Sequence, residues 1–198
     1  MFKKLGFIPF VFLPLILILN FSVSIFSQNN RANVWCFGSR AILDFNSTPP
    51  ISTGPSSIHS TETCSSICDD FGNLLFYTSG DTIWDKTHTP MPNGTSLMGN
   101  CSSTQGTLIT PVVGDCNKYY VFSGPANEQY FTNPGLRYSI VDMGLQGNGT
   151  ISCPLGDVVS ASKNIHLTPS PLTDTLNEYL TSVMHPNGTD YWVIVKER

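Results

Sequence analysis

The residues with the clearest capacity for chemistry are four aspartates, Asp69, Asp70, Asp81 and Asp85, crowded into one short stretch. Two carboxyl groups held about 5–9 Å apart can hydrolyse a glycosidic bond, and several together can hold calcium. Turn formation competes with both readings, because Asp in Asp69-Asp-Phe-Gly72 stabilises a tight turn. The spacing does not follow an EF-hand loop, so turn chemistry is the expected role. His88 and His185 could act as bases only beside a nucleophile and an orienting carboxylate. Ser102-Ser-Thr-Gln105 offers hydroxyls with no base nearby in sequence, and no G-x-S-x-G elbow occurs. No catalytic, cofactor-binding or metal-ligating residue is therefore assigned.

Six cysteines follow the amino-terminal region: Cys36, Cys64, Cys68, Cys101, Cys116 and Cys153. In an exported chain an even number favours disulfides, and all six are candidates, with the pairing left open. Zinc is disfavoured, because Cys64-Ser-Ser-Ile-Cys68 has no second Cys pair at metal-site spacing. Within a strand, Cys64 and Cys68 would lie about 13 Å apart, so each would need a partner elsewhere. Trp35, Trp84 and Trp192 could stack on sugar rings, although core packing is the expected role. Asn46, Asn93, Asn100, Asn148 and Asn187 head Asn-x-Ser/Thr sequons.

The elements that position these groups read as β-structure. Pro and Gly recur too often for long helices, from Pro49-Pro50 to Pro186-Asn-Gly188. The best helical stretch is Asp174–Met184. One unit appears three times: an apolar run, a polar turn, then an aromatic-rich strand. The pairs are Ser65–Cys68 with Asn73–Thr78, Thr107–Thr110 with Lys118–Ser123, and Leu180–Met184 with Asp190–Val195. The second turn is expected at Gly114–Asn117. A further hairpin is expected from Leu136–Asp142, returning through Ile151. The turn spacing is close to the roughly 40–50-residue period of a propeller blade. The expected fold is all-β, a partial β-propeller of about three to four antiparallel blades. The alternative is a β-sandwich, which in a disulfide-stapled form could bind sugars.

An ordered series of segments sharpens this. Trp35-Cys-Phe-Gly38, Leu43-Asp-Phe-Asn46, Thr61-Glu-Thr-Cys64, Asp70-Phe-Gly-Asn-Leu-Leu-Phe-Tyr-Thr78 and Met91-Pro-Asn-Gly94 come first. Gly135-Leu-Arg-Tyr-Ser-Ile-Val-Asp-Met143 and His185-Pro-Asn-Gly188 follow. The series resembles the amino-terminal region of exported, gliding-motility-associated and type IX-secreted bacterial proteins. That resemblance implies a WD40- or YVTN-like propeller on the cell surface, ahead of adhesive repeats. It also implies continuation into a longer chain beyond Arg198. Cys64 fits its pattern, whereas Cys36 and Cys68 stand where an aromatic residue and a serine are expected. Asp81-Thr82-Ile83 and Asp174-Thr175-Leu176 resemble the O-glycosylation motif of the same lineage.

The amino terminus agrees with export. Lys3 and Lys4 precede an apolar run from Leu5 to Leu19, followed by a polar stretch ending at Gln28. That is the order of a signal peptide. The run is too short and too proline-broken for an anchor, which needs roughly 20 apolar residues. Residues 1–28 are therefore expected to be a signal peptide and 29–198 a propeller-like domain. The remaining chain holds eight basic and fourteen acidic residues, a net charge of −6. Such a balance provides no footprint for nucleic acid or anionic lipid. The function expected is a non-enzymatic adhesion or scaffold role associated with gliding motility, outside the cytoplasm. Its partner would be a surface polysaccharide or protein. The alternative is an exported polysaccharide-acting hydrolase on the same scaffold.

Overall fold

A computed structural model describes residues 30–126, 135–167 and 176–197; the expected signal peptide lies outside them. A 3-10 turn, Asn30–Ala32, leads into β1 (Val34–Phe37) and β2 (Ala41–Asp44). Next come β3 (Ser65–Cys68), β4 (Leu74–Thr78), β5 (Ile83–Asp85), β6 (Thr107–Val112), β7 (Asp115–Ser123) and β8 (Arg137–Asp142). The last four are β9 (Asp157–Val158), β10 (Ile165–His166), β11 (Leu176–Met184) and β12 (Tyr191–Glu197). The chain is all-β, built from several small antiparallel sheets. Their orders are β1-β2, β3-β4-β5, β10-β8-β7-β6 with β9 also on β8, and β11-β12.

The sheets pack in series, and strand periodicity explains how. Successive side chains of a strand point to opposite faces. In β4, Phe76 enters a core with Ile67, Ile83, Ile109, Tyr119, Val121 and Val141, between the second and third sheets. Its neighbour Tyr77 enters a different core with Val34, Cys36, Ile42, Ile58, Cys68 and Trp84, between the first and second sheets. The same split recurs in β7: Tyr119 and Val121 face the second sheet. Phe122 and Tyr120 face a third cluster, with Leu136, Leu180 and Val193, against the fourth sheet. Strands buried on both faces need apolar residues at every position, so Leu-Leu-Phe-Tyr and Tyr-Tyr-Val-Phe carry no polar alternation. One core between two sheets, the sandwich arrangement, is not what forms. The described residues also do not close a ring.

The three expected hairpins are present, with three local corrections. The stretch expected to be helical, Asp174–Met184, forms strand β11 from Leu176 onward. Pairing with β12 and insertion of Leu180 into the third core outweigh its helical pattern. The second turn is the tighter pair Val113-Gly114, closed by Val112 opposite Asp115, so Asp115, Cys116 and Asn117 belong to β7. Gly114 supplies the positive φ of +80° that this loop requires. Finally, β8 does not return through Ile151, which is solvent-exposed; β9 and β10 pair with it instead. Leu155 and Val158 supply buried apolar residues where Ile151 does not. Among the described residues, no helix is long and apolar enough to cross a membrane.

Candidate functional site

The turns of the three hairpins come together with the amino-terminal 3-10 turn around one open groove of about 820 Å³. That is within the roughly 300–1,000 Å³ range of ligand sites. Asn30, Arg31 and Asp70 form one wall, Pro111 to Cys116 a second, and Met184, Gly188, Thr189 and Tyr191 a third. Each wall is held by its own turn chemistry. Asp69 Oδ1 accepts from the backbone N–H groups of Phe71 and Asn73, both at 2.9 Å, which folds the β3–β4 turn and projects Asp70 outward. Asn187 does the same for the β11–β12 turn, its Oδ1 accepting from the N–H groups of Thr189 and Asp190.

Arg31 Nε donates to Asp70 Oδ1 at 2.6 Å, and Asn30 Nδ2 donates to the Asp70 carbonyl at 3.0 Å. These bonds tie the first wall to the β3–β4 turn. The bond to Asp70 holds the guanidinium further toward its charged form. Burial pushes the Tyr119 phenol up, against the opposing field of Arg31. On the second wall Asp115 pairs with Lys118 at 2.8 Å, which holds its carboxyl below the usual range. The groove thus combines fixed charges with an apolar lining from Val112, Val113, Met184 and Tyr191. It can bind a ligand carrying both polar and apolar surface. Sequence reasoning missed Arg31, Tyr191 and Met184, because they meet only through the tertiary fold; the scarcity of basic residues was the one available pointer to Arg31.

The four aspartates do not assemble a shared site. Asp69 caps its turn and Asp70 is engaged by Arg31. Asp81 is exposed and accepts from Ser79 Oγ at 2.6 Å. Asp85 is fully buried, and its Oδ1 accepts from Thr87 N–H at 2.7 Å and Thr87 Oγ1 at 2.6 Å. Its Oδ2 accepts from Asn148 Nδ2 at 2.8 Å. Asp69 and Asp81 are used in local turn bonds, whereas Asp70 and Asp85 also tie to Arg31 and Asn148, distant in sequence. A second, smaller groove of about 500 Å³ carries Asp44, Asp69, Lys86 and His88 on its walls. Among the described residues no group of three or more His, Cys, Asp or Glu could hold a metal ion.

The remaining residues fall into place around these grooves. His88 turns the chain after β5 at a φ of +67°, and its Nδ1 meets the Tyr77 hydroxyl at 3.1 Å. His185 Nδ1 accepts from Asn187 N–H at 3.2 Å, and its ring packs on Trp192. In the Ser102–Gln105 segment, Thr104 Oγ1 donates to Glu178 and Glu62, and Gln105 bridges to Tyr179. Trp84 is buried and stacked on Tyr77, as expected for core packing. Trp35, tilted against Phe45, and Trp192 are instead about half exposed. Thr82 is half-buried, and the second O-glycosylation-like motif falls largely outside the described residues.

Four of the five sequon asparagines spend their amide nitrogen inside the fold. Asn46 donates to Asp44 and Gly72, Asn93 to Asp157, Asn148 to Asp85, and Asn187 to Asp190. These are turn and loop ties. No two of the six cysteines lie at disulfide distance: Cys36 and Cys68 are buried, Cys64 and Cys101 half-buried, Cys116 and Cys153 exposed. Comparison with protein-family models, curated proteins and solved structures returns no match to this chain.

Proposed function

We propose that this chain is a non-enzymatic exported segment with an adhesive or scaffolding role at the cell surface, and that the groove among its hairpin turns holds the partner. The observation that carries this reading is the convergence of three hairpin turns and the Arg31–Asp70 pair on one groove of about 820 Å³. Loops are the usual place for binding residues on a rigid β-scaffold. The partner is a surface polysaccharide or a protein. Tyr191 offers a ring for stacking, and Arg31 and Asp70 supply polar contacts.

Three further features support the reading. The serial packing of small antiparallel sheets, each using both faces, is how successive propeller blades pack, so we read the fold as a partial propeller. The order of Lys3-Lys4, the apolar Leu5–Leu19 run and the polar stretch to Gln28 is that of a signal peptide, removed on export. The motif series from Trp35 to Gly188 resembles exported proteins of gliding bacteria, which points to gliding motility and type IX secretion. Fold analogy alone does not fix function, so the groove itself is the object of the test. Purified chain should bind at least one member of a polysaccharide array or intact bacterial cells. Arg31→Ala and Tyr191→Ala should each weaken that binding about tenfold without loss of folding. Release of reducing ends from a bound polysaccharide would replace this reading with the hydrolase. Binding unaffected by either variant would remove the groove from it.

A further inference from the structure

One cross-strand row of the third sheet is polar from end to end. Thr107, Ser123, Arg137 and His166 stand opposite one another on β6, β7, β8 and β10. Side chains alternate along each strand, so this row shares a face with Ile109, Val121 and Val141, the face turned to the second sheet. Neighbours in such a row have Cβ atoms about 4.5–5.5 Å apart. Thr107 is satisfied within the sheet, its Oγ1 donating to the Phe122 carbonyl at 3.0 Å. Two residues along β8, Ser139 Oγ accepts from the Asn164 N–H at 3.0 Å. Ser123 and Arg137 have no such partner. Ser123 is 2% exposed and its Oγ is unbonded; the Nε of Arg137 is also buried and unbonded. Buried donors left unsatisfied are costly, and here two adjoin. The other described arginines both use their Nε: Arg31 donates to Asp70, and Arg40 to the Ser56 carbonyl. Among the described residues no carboxylate forms an ion pair with Arg137, although the chain has a formal net charge of −4.

We propose that Ser123, Arg137 and His166 form a binding site for a small oxyanion, either a phosphate or the carboxylate of an acidic sugar. The planar guanidinium fork matches an edge of either group. The Ser123 hydroxyl adds a donor on one side of it. The half-buried His166 ring adds an N–H on the other. An oxyanion in this row satisfies both orphaned donors and supplies the missing counter-charge. β10 is the edge strand of the sheet and Arg137 is only half-buried, so entry is from that side. The row lies at the far end of β7 from Asp115 and Cys116, which wall the groove. It is a second site, and it stands whether or not the groove holds the partner proposed above.

The test titrates the purified chain with sodium phosphate, sodium acetate or a galacturonate oligomer, against sodium chloride at equal ionic strength. Binding is read from Tm and from the ring-proton resonances of His166, assigned with His166→Gln. Phosphate or galacturonate should raise Tm and move the His166 resonances more than those of His59, His88 or His185. Arg137→Met keeps the side-chain stem and should weaken binding about tenfold or more, the effect of losing one charge-assisted hydrogen bond. Ser123→Ala should weaken it several-fold. Neither substitution should lower the Tm of the ligand-free chain, because each removes a group without a partner. A galacturonate oligomer that binds more tightly than acetate assigns the site to an acidic sugar; phosphate binding alone assigns it to the free ion. Resonances of His166 that respond to no oxyanion beyond the chloride control would overturn the proposal. So would phosphate and galacturonate binding that Arg137→Met and Ser123→Ala leave unchanged.

Discussion

Asp85 shows how a chemically capable residue can be wholly consumed by structure. A buried carboxylate is tolerated only when its oxygens are hydrogen-bonded, and Thr87, Thr89 and Asn148 supply those bonds. Asp85→Ala leaves these donors without their acceptor and should cost about 2–3 kcal/mol in urea unfolding. Asp81→Ala, at an exposed position, should stay under about 1 kcal/mol. A second residue-scale expectation concerns alkaline pH. Burial pushes the Cys36 thiol up from 9.0 to about 12 and the Tyr77 phenol up from 10.0 to about 12. Both groups hold their proton more tightly folded than unfolded. Their contribution is whole below pH 9 and drains away as pH rises toward 12. The urea midpoint of the reduced chain should therefore fall across that window. Cys36→Ala should make the fall shallower; an identical slope would show that Cys36 does not contribute.

At the scale of elements, the hairpins were legible because turn residues punctuate runs with strong strand preference. Asn73–Thr78 and Lys118–Ser123 announced β4 and β7 to within a few residues. The stretch before Met184 misled because it lacks Pro and Gly inside it, so local rules permitted a helix; its partner β12 and the third core decided otherwise. What no local pattern revealed was that β4 and β7 each feed two cores. Phe76 and Tyr77 are adjacent and both fully buried, yet they belong to different clusters. Phe76→Ala should cost about 3–5 kcal/mol by opening a cavity between the second and third sheets. Tyr77→Phe keeps the ring but leaves the Ser57 N–H, which donates to the Tyr77 hydroxyl at 2.9 Å, without its acceptor. Its cost should be about 1–3 kcal/mol. Both are read from urea unfolding. Gly99 marks a third kind of element constraint, since an added Cβ would lie 2.4 Å from the Gly80 carbonyl oxygen. Gly99→Ala should therefore lower the yield of folded protein even though its φ is ordinary.

The whole molecule is a series of sheets, and a series has two ends. The interior faces bury Tyr77 and Trp84 at one junction and Phe76 and Tyr119 at the next. Among the described residues, no sheet packs on the outer faces. Trp35 remains about half exposed on the first sheet, with Phe45 just after β2 also exposed, and Trp192, Ile194 and Val183 about half exposed on the last. The groove was illegible in the sequence for the same reason: its walls come from turns that only this stacking brings together. The arrangement makes an optical prediction, because the three tryptophans occupy three distinct places in the series. Trp84 is 9% exposed and stacked on Tyr77, while Trp35 and Trp192 are 51% and 56% exposed. In single-tryptophan variants, Trp84 should emit at the shortest wavelength and resist acrylamide. Trp35 and Trp192 should emit further to the red and be quenched several-fold faster. Trp192 shielded in the purified chain would mean that the last sheet's outer face is covered in solution, and dilution would show whether a second copy covers it.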